Sequence, residues 1–307
     1  MEFAEGSGYF TFNFIFEGDC ALEVIQTSYG IVLKDVSDFS PVHIFECGQA
    51  FRWNWDGTGY VGIAGDRVIR VSYDDGNVLL ENASIEDYDS FWKRYFDMDR
   101  DYSQVKDALS SDSLLKRAME YGWGIRILNQ DPWEALISFI ISANNNIPRI
   151  KKIIESLASN FGRRVEWGGK DFYTFPQPAD LAGASIERLM ACGCGYRAEY
   201  IKKTAEMVCD GEIRLEQVAQ LPYRDAHRAL MACPGVGPKV ADCILLFSMG
   251  KTEAFPVDVW IRKVMQHFYP ESGDTSRGVK EFAWQRFGHL AGFAQQYLFY
   301  YARECMD

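Results

Sequence analysis

The apolar residues of this 307-residue chain change their spacing near residue 100. Before that point they alternate with other residues over short stretches, as at residues 9–14 and 68–73, a pattern typical of β-strands. From Tyr102 onward they recur every three to four positions, which predicts helices. The fold class predicted is therefore α+β. An antiparallel sheet domain with one or two helices occupies residues 1–101, and a mostly helical body, long enough for two lobes, occupies residues 102–307.

The boundaries of several elements follow from the same patterns. Residues 60–73 predict a hairpin that turns at Gly65 and Asp66, and residues 84–96 predict a helix capped by Ser84. Helices are further predicted at residues 103–110, 113–121, 132–143, 147–161, 185–190, 196–208, 212–220, 223–231, 238–249, 259–268 and from 285 to the end.

The distribution of charge along the chain bears on whether the protein can bind DNA. The net charge is −11, whereas a nucleic-acid-binding domain is usually basic. Residues 1–100 hold 18 acidic and 7 basic residues, while residues 101–307 hold 25 of each. The helical part can therefore present a basic face to DNA. No run of eighteen apolar residues occurs, so we expect no membrane association. The eight scattered cysteines predict free thiols in a reducing compartment.

The stretch from residue 230 to residue 265 has the strongest chemical character. The sequence Pro-Gly-Val-Gly at residues 234–237 joins two predicted helices through a tight turn, and its backbone N–H groups suit a phosphate. Such a turn grips the DNA backbone without reading its sequence. Lys239 follows in the first turn of the next helix, and Asp258 precedes the helix after that. With Lys239 and Asp258 nearby, the predicted phosphate-binding hairpin becomes part of a candidate active site.

Four other blocks lie around this stretch in the chain, CGQAFRW at residues 47–53, SANNNIPR at 142–149, GYRA at 195–198 and AQQYLF at 294–299. With the hairpin, they resemble the helix-hairpin-helix (HhH-GPD) DNA glycosylases, and most of all the bifunctional 8-oxoguanine DNA glycosylase/AP lyases. The resemblance covers the chain from about residue 40 to the end. It implies a sheet domain like that of the TATA-binding protein, followed by the helical glycosylase domain. It also implies base-excision repair, in which 8-oxoguanine is flipped out of duplex DNA.

The resemblance gives Lys239 and Asp258 the catalytic roles. The positive end of the helix dipole disfavours an ammonium at Lys239, and burial acts in the same direction. An uncharged amine there would attack the sugar, form a Schiff base and allow β-elimination. Spacing alone also allows Lys239 to be a phosphate contact. Asp258 stands at a good N-cap position, and by resemblance it also stabilises the cationic sugar.

The resemblance also implies a pocket for the damaged base. The carbonyl of Gly48 would accept from N7–H, which 8-oxoguanine has and guanine lacks. Phe299 and Cys243 would cover the two faces of the base, and Gln295 would bond its Watson–Crick edge. From the residues alone, a simpler interpretation is that Gly48 ends a strand and that Cys243 and Phe299 pack in the hydrophobic core.

Three further groups of residues follow from the resemblance. The residues expected to read the opposite cytosine and fill the gap left by the flipped base are Asn144, Arg149, Tyr196 and Arg197. The residues expected at phosphates are Gly235, Gly237, Val240 and Trp260. No cofactor is expected to be required, but a structural monovalent or calcium cation would be held at the hairpin by the backbone carbonyls of Met231, Cys233 and Val236.

The partner expected is double-stranded DNA with 8-oxoguanine opposite cytosine, bound by a monomer. Trp260 stands where the eukaryotic members would have a phosphate-contacting histidine. This departure indicates a prokaryotic branch and a cytoplasmic location, whereas a eukaryotic member would be nuclear.

Two alternative functions stay open at this point. One is a monofunctional helix-hairpin-helix glycosylase for alkylated or mismatched bases, in which water attacks the sugar, and the presence of Lys239 disfavours it. The other is a DNA-binding module without catalysis, in which Lys239 only contacts phosphate.

Overall fold

The computed structural model describes residues 22–305, so the strand-like pattern at residues 9–14 lies outside the described residues. Within them, six strands form one antiparallel sheet in the spatial order β1-β2-β6-β5-β4-β3. The strands are β1 (Val24–Gln26), β2 (Gly30–Leu33), β3 (Trp53–Trp55), β4 (Tyr60–Ala64), β5 (Arg67–Asp74) and β6 (Asn77–Glu81). The predicted hairpin is confirmed, because β4 and β5 pair around Gly65 and Asp66.

Three short helices belong to the sheet region, namely α1 (Pro41–Glu46), α2 (Ile85–Asp87) and α3 (Lys93–Tyr95). A π-helical turn at Tyr88–Trp92 joins the last two, so the predicted helix at 84–96 is present with one wide turn. Ser84 caps it through a capping box with Asp87.

The rest of the described chain is mainly helical, as predicted, and the α+β fold class is confirmed. A second sheet has two strands, β7 (Arg164–Trp167) and β8 (Lys170–Tyr173). The helices are α4 (Tyr102–Leu109), α5 (Ser113–Tyr121), α6 (Pro132–Ser142), α7 (Ile147–Phe161), α8 (Pro178–Ala182), α9 (Ile186–Ala191), α10 (Arg197–Cys209), α11 (Leu215–Gln220), α12 (Tyr223–Leu230), α13 (Pro238–Ser248), α14 (Val259–Phe268), α15 (Ser276–Phe287) and α16 (Ala291–Cys305).

The predicted single helix from residue 285 to the end is wrong. The helix α15 already starts at Ser276, and α16 begins only at Ala291. Between them Gly288 has φ +55° and begins a 3₁₀ turn. A left-handed residue cannot continue a right-handed helix, so the chain changes direction there.

Two hydrophobic cores hold the described residues together. One lies against the large sheet and contains Phe45, Trp53 and Trp92. The other fills the helical body, but it also takes in Cys47 and Phe51 from the sheet region. The segment around Gly48 therefore lies where the two cores meet. None of the helices at residues 22–305 has the length and hydropathy needed to span a membrane.

Candidate active site

The hairpin between α12 and α13 is built around two glycines with different tasks. Gly235 has φ +82°, and a Cβ there would lie 2.8 Å from Cδ2 of Tyr200. This position therefore needs glycine for both its conformation and its packing. Gly237 is the N-cap of α13, and a Cβ on it would meet no atom of the described chain within 4 Å. The hairpin thus packs on one side and leaves the backbone at the start of α13 open.

Lys239 lies in the first turn of α13, directly after Pro238 at the helix start. Its Nζ lies 5.6 Å from the centroid of the Phe139 ring, which belongs to α6. Cys243 follows one turn later and is buried. Burial raises the pKa of the Cys243 thiol to about 11; Lys239 opposes this rise, and the charges of Asp242 and Asp258 add to it. The structure therefore brings Lys239, Cys243 and Asp258 together.

Asp258 is the N-cap of α14, as its sequence context predicts. Its Oδ1 accepts a hydrogen bond from the backbone N–H of Ile261 at 2.8 Å. The cap fixes the carboxylate at the positive end of a helix, where a negative charge is stabilised.

Gly48 and Phe299 lie next to each other although they come from distant parts of the chain. Gly48 has φ +78° and follows α1, while Phe299 lies on α16. A Cβ at Gly48 would lie 3.1 Å from Cε1 of Phe299. Gln295 lies one turn before Phe299 on the same helix and is buried. Its Nε2 donates to the carbonyl of Pro256 at 3.3 Å, and its Oε1 has no hydrogen-bond partner among the described residues.

The four residues expected at the opposite base lie in two places. Asn144 has φ +51° and is exposed just before α7, and Arg149 is exposed in the first turn of α7. Tyr196 is 58% exposed at the start of α10. Arg197 is buried, and its guanidinium donates to the carbonyls of Ala143 and Asn144. Arg197 thus joins the two places by holding the backbone of the Asn144 turn.

The remaining expected residues lie along the hairpin and α14. Val240 has a buried side chain, but its backbone belongs to the first turn of α13. Trp260 is 37% exposed, and Nζ of Lys263 lies 4.9 Å from its ring centroid. Met231 ends α12, and the carbonyl of Cys233 accepts from the N–H of Val236 at 3.1 Å.

Two family models together match most of this chain. Residues 31–136 match the model described as the 8-oxoguanine DNA glycosylase N-terminal domain. Residues 137–289 match the HhH-GPD superfamily of base excision DNA repair proteins. A probable N-glycosylase/DNA lyase of Methanothermobacter thermautotrophicus is 38% identical in a 212-residue alignment that covers 62% of this chain and 68% of that protein. The chain belongs to the 8-oxoguanine DNA glycosylase family.

Two other members of this family extend the comparison. The N-glycosylase/DNA lyase of Saccharomyces cerevisiae is 32% identical over 80% of this chain and 72% of its own length. The 8-oxoguanine glycosylase/lyase of Clostridium acetobutylicum, solved with double-stranded DNA containing cytosine opposite 8-oxoguanine, is 42% identical with a TM-score of 0.89. That comparison covers 93% of this chain and 98% of the clostridial chain.

The structure adds a residue for which sequence analysis gave no role. The side chain of Gln49 donates to the carbonyls of Ile44 and Arg126, and its Oε1 accepts from the N–H of Leu128 at 2.9 Å. Gln49 thereby fixes the turn that contains Gly48. The only signal in the sequence is its place in the block at residues 47–53.

Proposed function

We propose that this chain removes 8-oxoguanine opposite cytosine from double-stranded DNA and then nicks the strand by β-elimination. The observation that carries this proposal is the position of Lys239. It lies in the first turn of α13, directly after the open hairpin, and the charges of both Lys239 and Asp258 act on the Cys243 thiol. The N-glycosylase/DNA lyases among its relatives support the same reaction.

Lys239 is proposed as the nucleophile. Its amine forms a bond to C1′ of the deoxyribose while the C1′–N9 bond breaks, and the base leaves with that electron pair and takes up a proton. Loss of an amine proton and opening of the sugar ring give a protonated Schiff base. Removal of a proton from C2′ then expels the 3′ phosphate with the C3′–O electron pair, which nicks the strand.

Asp258 is proposed to stabilise the sugar as positive charge develops on it. A carboxylate held in place by a helix cap needs no reorganisation when that charge appears, which is the condition for effective electrostatic catalysis. In the later steps it helps to move protons during the elimination.

The pocket for the damaged base is proposed to be lined by Gly48 and Phe299, which lie next to each other. Their contact at 3.1 Å, measured to a Cβ that glycine lacks, shows that any larger residue would press on the ring. Phe299 would stack on one face of the base and Cys243 would cover the other. The buried Oε1 of Gln295, without a partner in residues 22–305, would accept a hydrogen bond from the Watson–Crick edge.

The opposite strand is proposed to contact the surface near α7 and α10. Tyr196 is exposed and can enter the gap that the flipped base leaves. Asn144 and Arg149 are exposed and offer donors to the orphan cytosine. Arg197 would take part after releasing at least one of its two carbonyl acceptors.

The DNA backbone is proposed to bind at the hairpin. The backbone N–H groups of Gly235, Gly237 and Val240 would donate to a phosphate, and so would the indole N–H of Trp260. The carbonyls of Met231, Cys233 and Val236 form an uncharged oxygen set, which suits a loosely held monovalent or calcium cation near a phosphate. Among residues 22–305, no group of three or more His, Cys, Asp and Glu side chains could hold a metal ion. We expect the protein to act as a monomer.

Borohydride trapping on an 8-oxoguanine:cytosine duplex tests the proposal. We expect a covalent protein–DNA adduct with the wild-type chain and none with Lys239→Gln. Lys116→Gln changes an exposed lysine on α5 and serves as the matched control, which should trap as the wild type does. Base release without an adduct would support a monofunctional glycosylase, and DNA binding without base release would support a module without catalysis. Either result would refute the proposed reaction.

A further inference from the structure

A buried carboxylate shares a helix with the proposed nucleophile. Asp242 lies on α13, three residues after Lys239 and one before Cys243, and it is fully buried. Side chains three residues apart on a helix are neighbours on its surface, so helix spacing puts Asp242 where its charge would act on Lys239. A buried charge also needs partners, because leaving it unpaired is strongly unfavourable.

Three side chains from two other helices surround this carboxylate. From α12, the hydroxyl of Tyr223 donates to Oδ1 of Asp242 at 2.7 Å, and Nε2 of His227 lies 3.4 Å from the same oxygen. From α15, Nζ of Lys280 forms an ion pair with Oδ2. Asp242 therefore links α12 and α15 to the helix that carries Lys239.

The imidazole of His227 also reaches the first turn of α13. Its Nε2 lies 3.2 Å from the carbonyl oxygen of Pro238, the residue before Lys239. A carbonyl can only accept a hydrogen bond, so Nε2 must carry a proton in this arrangement. The network thus holds the backbone of the turn from which the Lys239 side chain projects.

Lys280 carries a positive charge that offsets the negative charge of Asp242. An unpaired carboxylate stabilises the ammonium form of a nearby amine. A carboxylate and an ammonium three residues apart on one helix can also form a direct ion pair. We propose that Lys280 is a positioning residue that pairs with Asp242 and so keeps this carboxylate from stabilising the ammonium form of Lys239. The inference rests on the function proposed above, because only there must Lys239 attack as an uncharged amine.

The other titratable groups around the pair are known from the structure. The charges of Lys239, Asp242 and Asp258 all act on the pKa of the Cys243 thiol. Tyr223 and His227 face Asp242, and Tyr223 is itself within reach of Arg224 and Glu253. These groups are chemically unchanged when only Asp242 or Lys280 is replaced, so a pair of substitutions that remove opposite charges tests the charge effect.

The test is the pH dependence of single-turnover excision on an 8-oxoguanine:cytosine duplex. The wild type is compared with Asp242→Asn, Lys280→Met and the double variant. Asp242→Asn leaves an unpaired cation, so its acid limb should move to lower pH by on the order of one unit. Lys280→Met leaves an unpaired anion and should move the acid limb to higher pH. The double variant has neither charge and should return to the wild-type midpoint.

The two single shifts need not be equal in size. Burial raises the pKa of Asp242, and Lys280 opposes that rise. Without Lys280 the carboxyl group binds a proton more readily, which removes part of its charge. We therefore expect a smaller shift in Lys280→Met than in Asp242→Asn. Lys280→Arg keeps the cation and should keep the wild-type midpoint.

A structural role alone would lower the rate without moving the midpoints in opposite directions. Midpoints that do not move, or that move in the same direction in both single variants, would refute the role of Lys280. A loss of folded enzyme that is equal at every pH lowers the rate without moving the midpoint, and circular dichroism at each pH checks that the folded fraction is constant. No excision or adduct with the wild type would instead refute the proposed function itself.

Discussion

Gly48 and Phe299 come from opposite ends of the chain and form one contact at the candidate base pocket. A Cβ at Gly48 would lie 3.1 Å from Cε1 of Phe299, and Gly48 has φ +78°. The backbone conformation therefore favours glycine here, and a larger residue would also have to displace the Phe299 ring. The contact connects the turn after α1 to α16, and both residues would line the proposed pocket.

Replacing Gly48 by alanine should impair recognition of the base more than the chemistry at the sugar. The added methyl group would push the Phe299 ring, so we expect excision of 8-oxoguanine to fall by about ten- to a hundredfold. Nicking of a duplex with a preformed abasic site should change much less, because no base must enter the pocket. Gly76→Ala is the matched control, since Gly76 has φ +80° and only an ordinary contact at 3.9 Å. Equal losses on both substrates would contradict the proposed pocket.

Two buried glutamines should respond in opposite ways to methionine. Gln49 has a fully bonded amide, so Gln49→Met should lower the free energy of unfolding by about 2 kcal/mol or more. Gln295→Met removes one long bond to the Pro256 carbonyl, at 3.3 Å, together with an Oε1 that has no partner in the described chain, so the free energy of unfolding should change by less than about 1 kcal/mol while excision falls. Urea unfolding and single-turnover rates on both variants check this. Strong destabilisation by Gln295→Met would show that its amide serves the fold.

The two arginines near α7 and α10 should also differ. Arg149 is exposed, so Arg149→Gln should leave the unfolding temperature unchanged and reduce the preference for cytosine opposite the lesion by about tenfold. Arg197→Gln should lower the unfolding temperature, because the carbonyls of Ala143 and Asn144 lose their donor. Duplexes that differ only in the base facing 8-oxoguanine provide the measurement. An unchanged preference in Arg149→Gln would exclude its proposed role.

Glu134 should make stability depend on pH. Burial raises the pKa of Glu134 to about 7, and Arg52 only partly opposes this rise. The unfolded chain releases the Glu134 proton near pH 4.5, whereas the folded chain keeps it up to about pH 7. The protonated carboxyl group therefore contributes its full stabilisation below pH 4.5, and this contribution is lost as pH rises through about 7. Glu134→Gln should gain stability relative to the wild type between these values, by on the order of 2 kcal/mol. A difference between the two proteins that is constant from pH 5 to pH 8 would contradict this.

The sequence predicts long helices well because their periodicity is repeated several times. Residues 113–121, 147–161 and 259–268 are helical with the predicted bounds. By contrast, α1 has six residues and shows too little of a period to be recognised. The hairpin of β7 and β8 was also missed, although Gly168 and Gly169 form its turn, because its strands are short and largely exposed.

The candidate site was predictable where its residues lie in short motifs, as Lys239 and Asp258 do. Contacts between distant elements were not. Nothing in the sequence indicates that Lys280 pairs with Asp242, since the two lie on α13 and α15 and only their packing brings them together. In the same way, the sequence does not show that Arg197 holds the carbonyls of the Asn144 turn.

The central claim is that the amine of Lys239 bonds to the deoxyribose. Peptide mapping by mass spectrometry of the borohydride-reduced complex with an 8-oxoguanine:cytosine duplex tests it most directly. We predict that the DNA remnant is attached to the peptide that contains Lys239, at that side chain. Attachment at any other residue, or release of 8-oxoguanine with no attachment at all, would contradict the account.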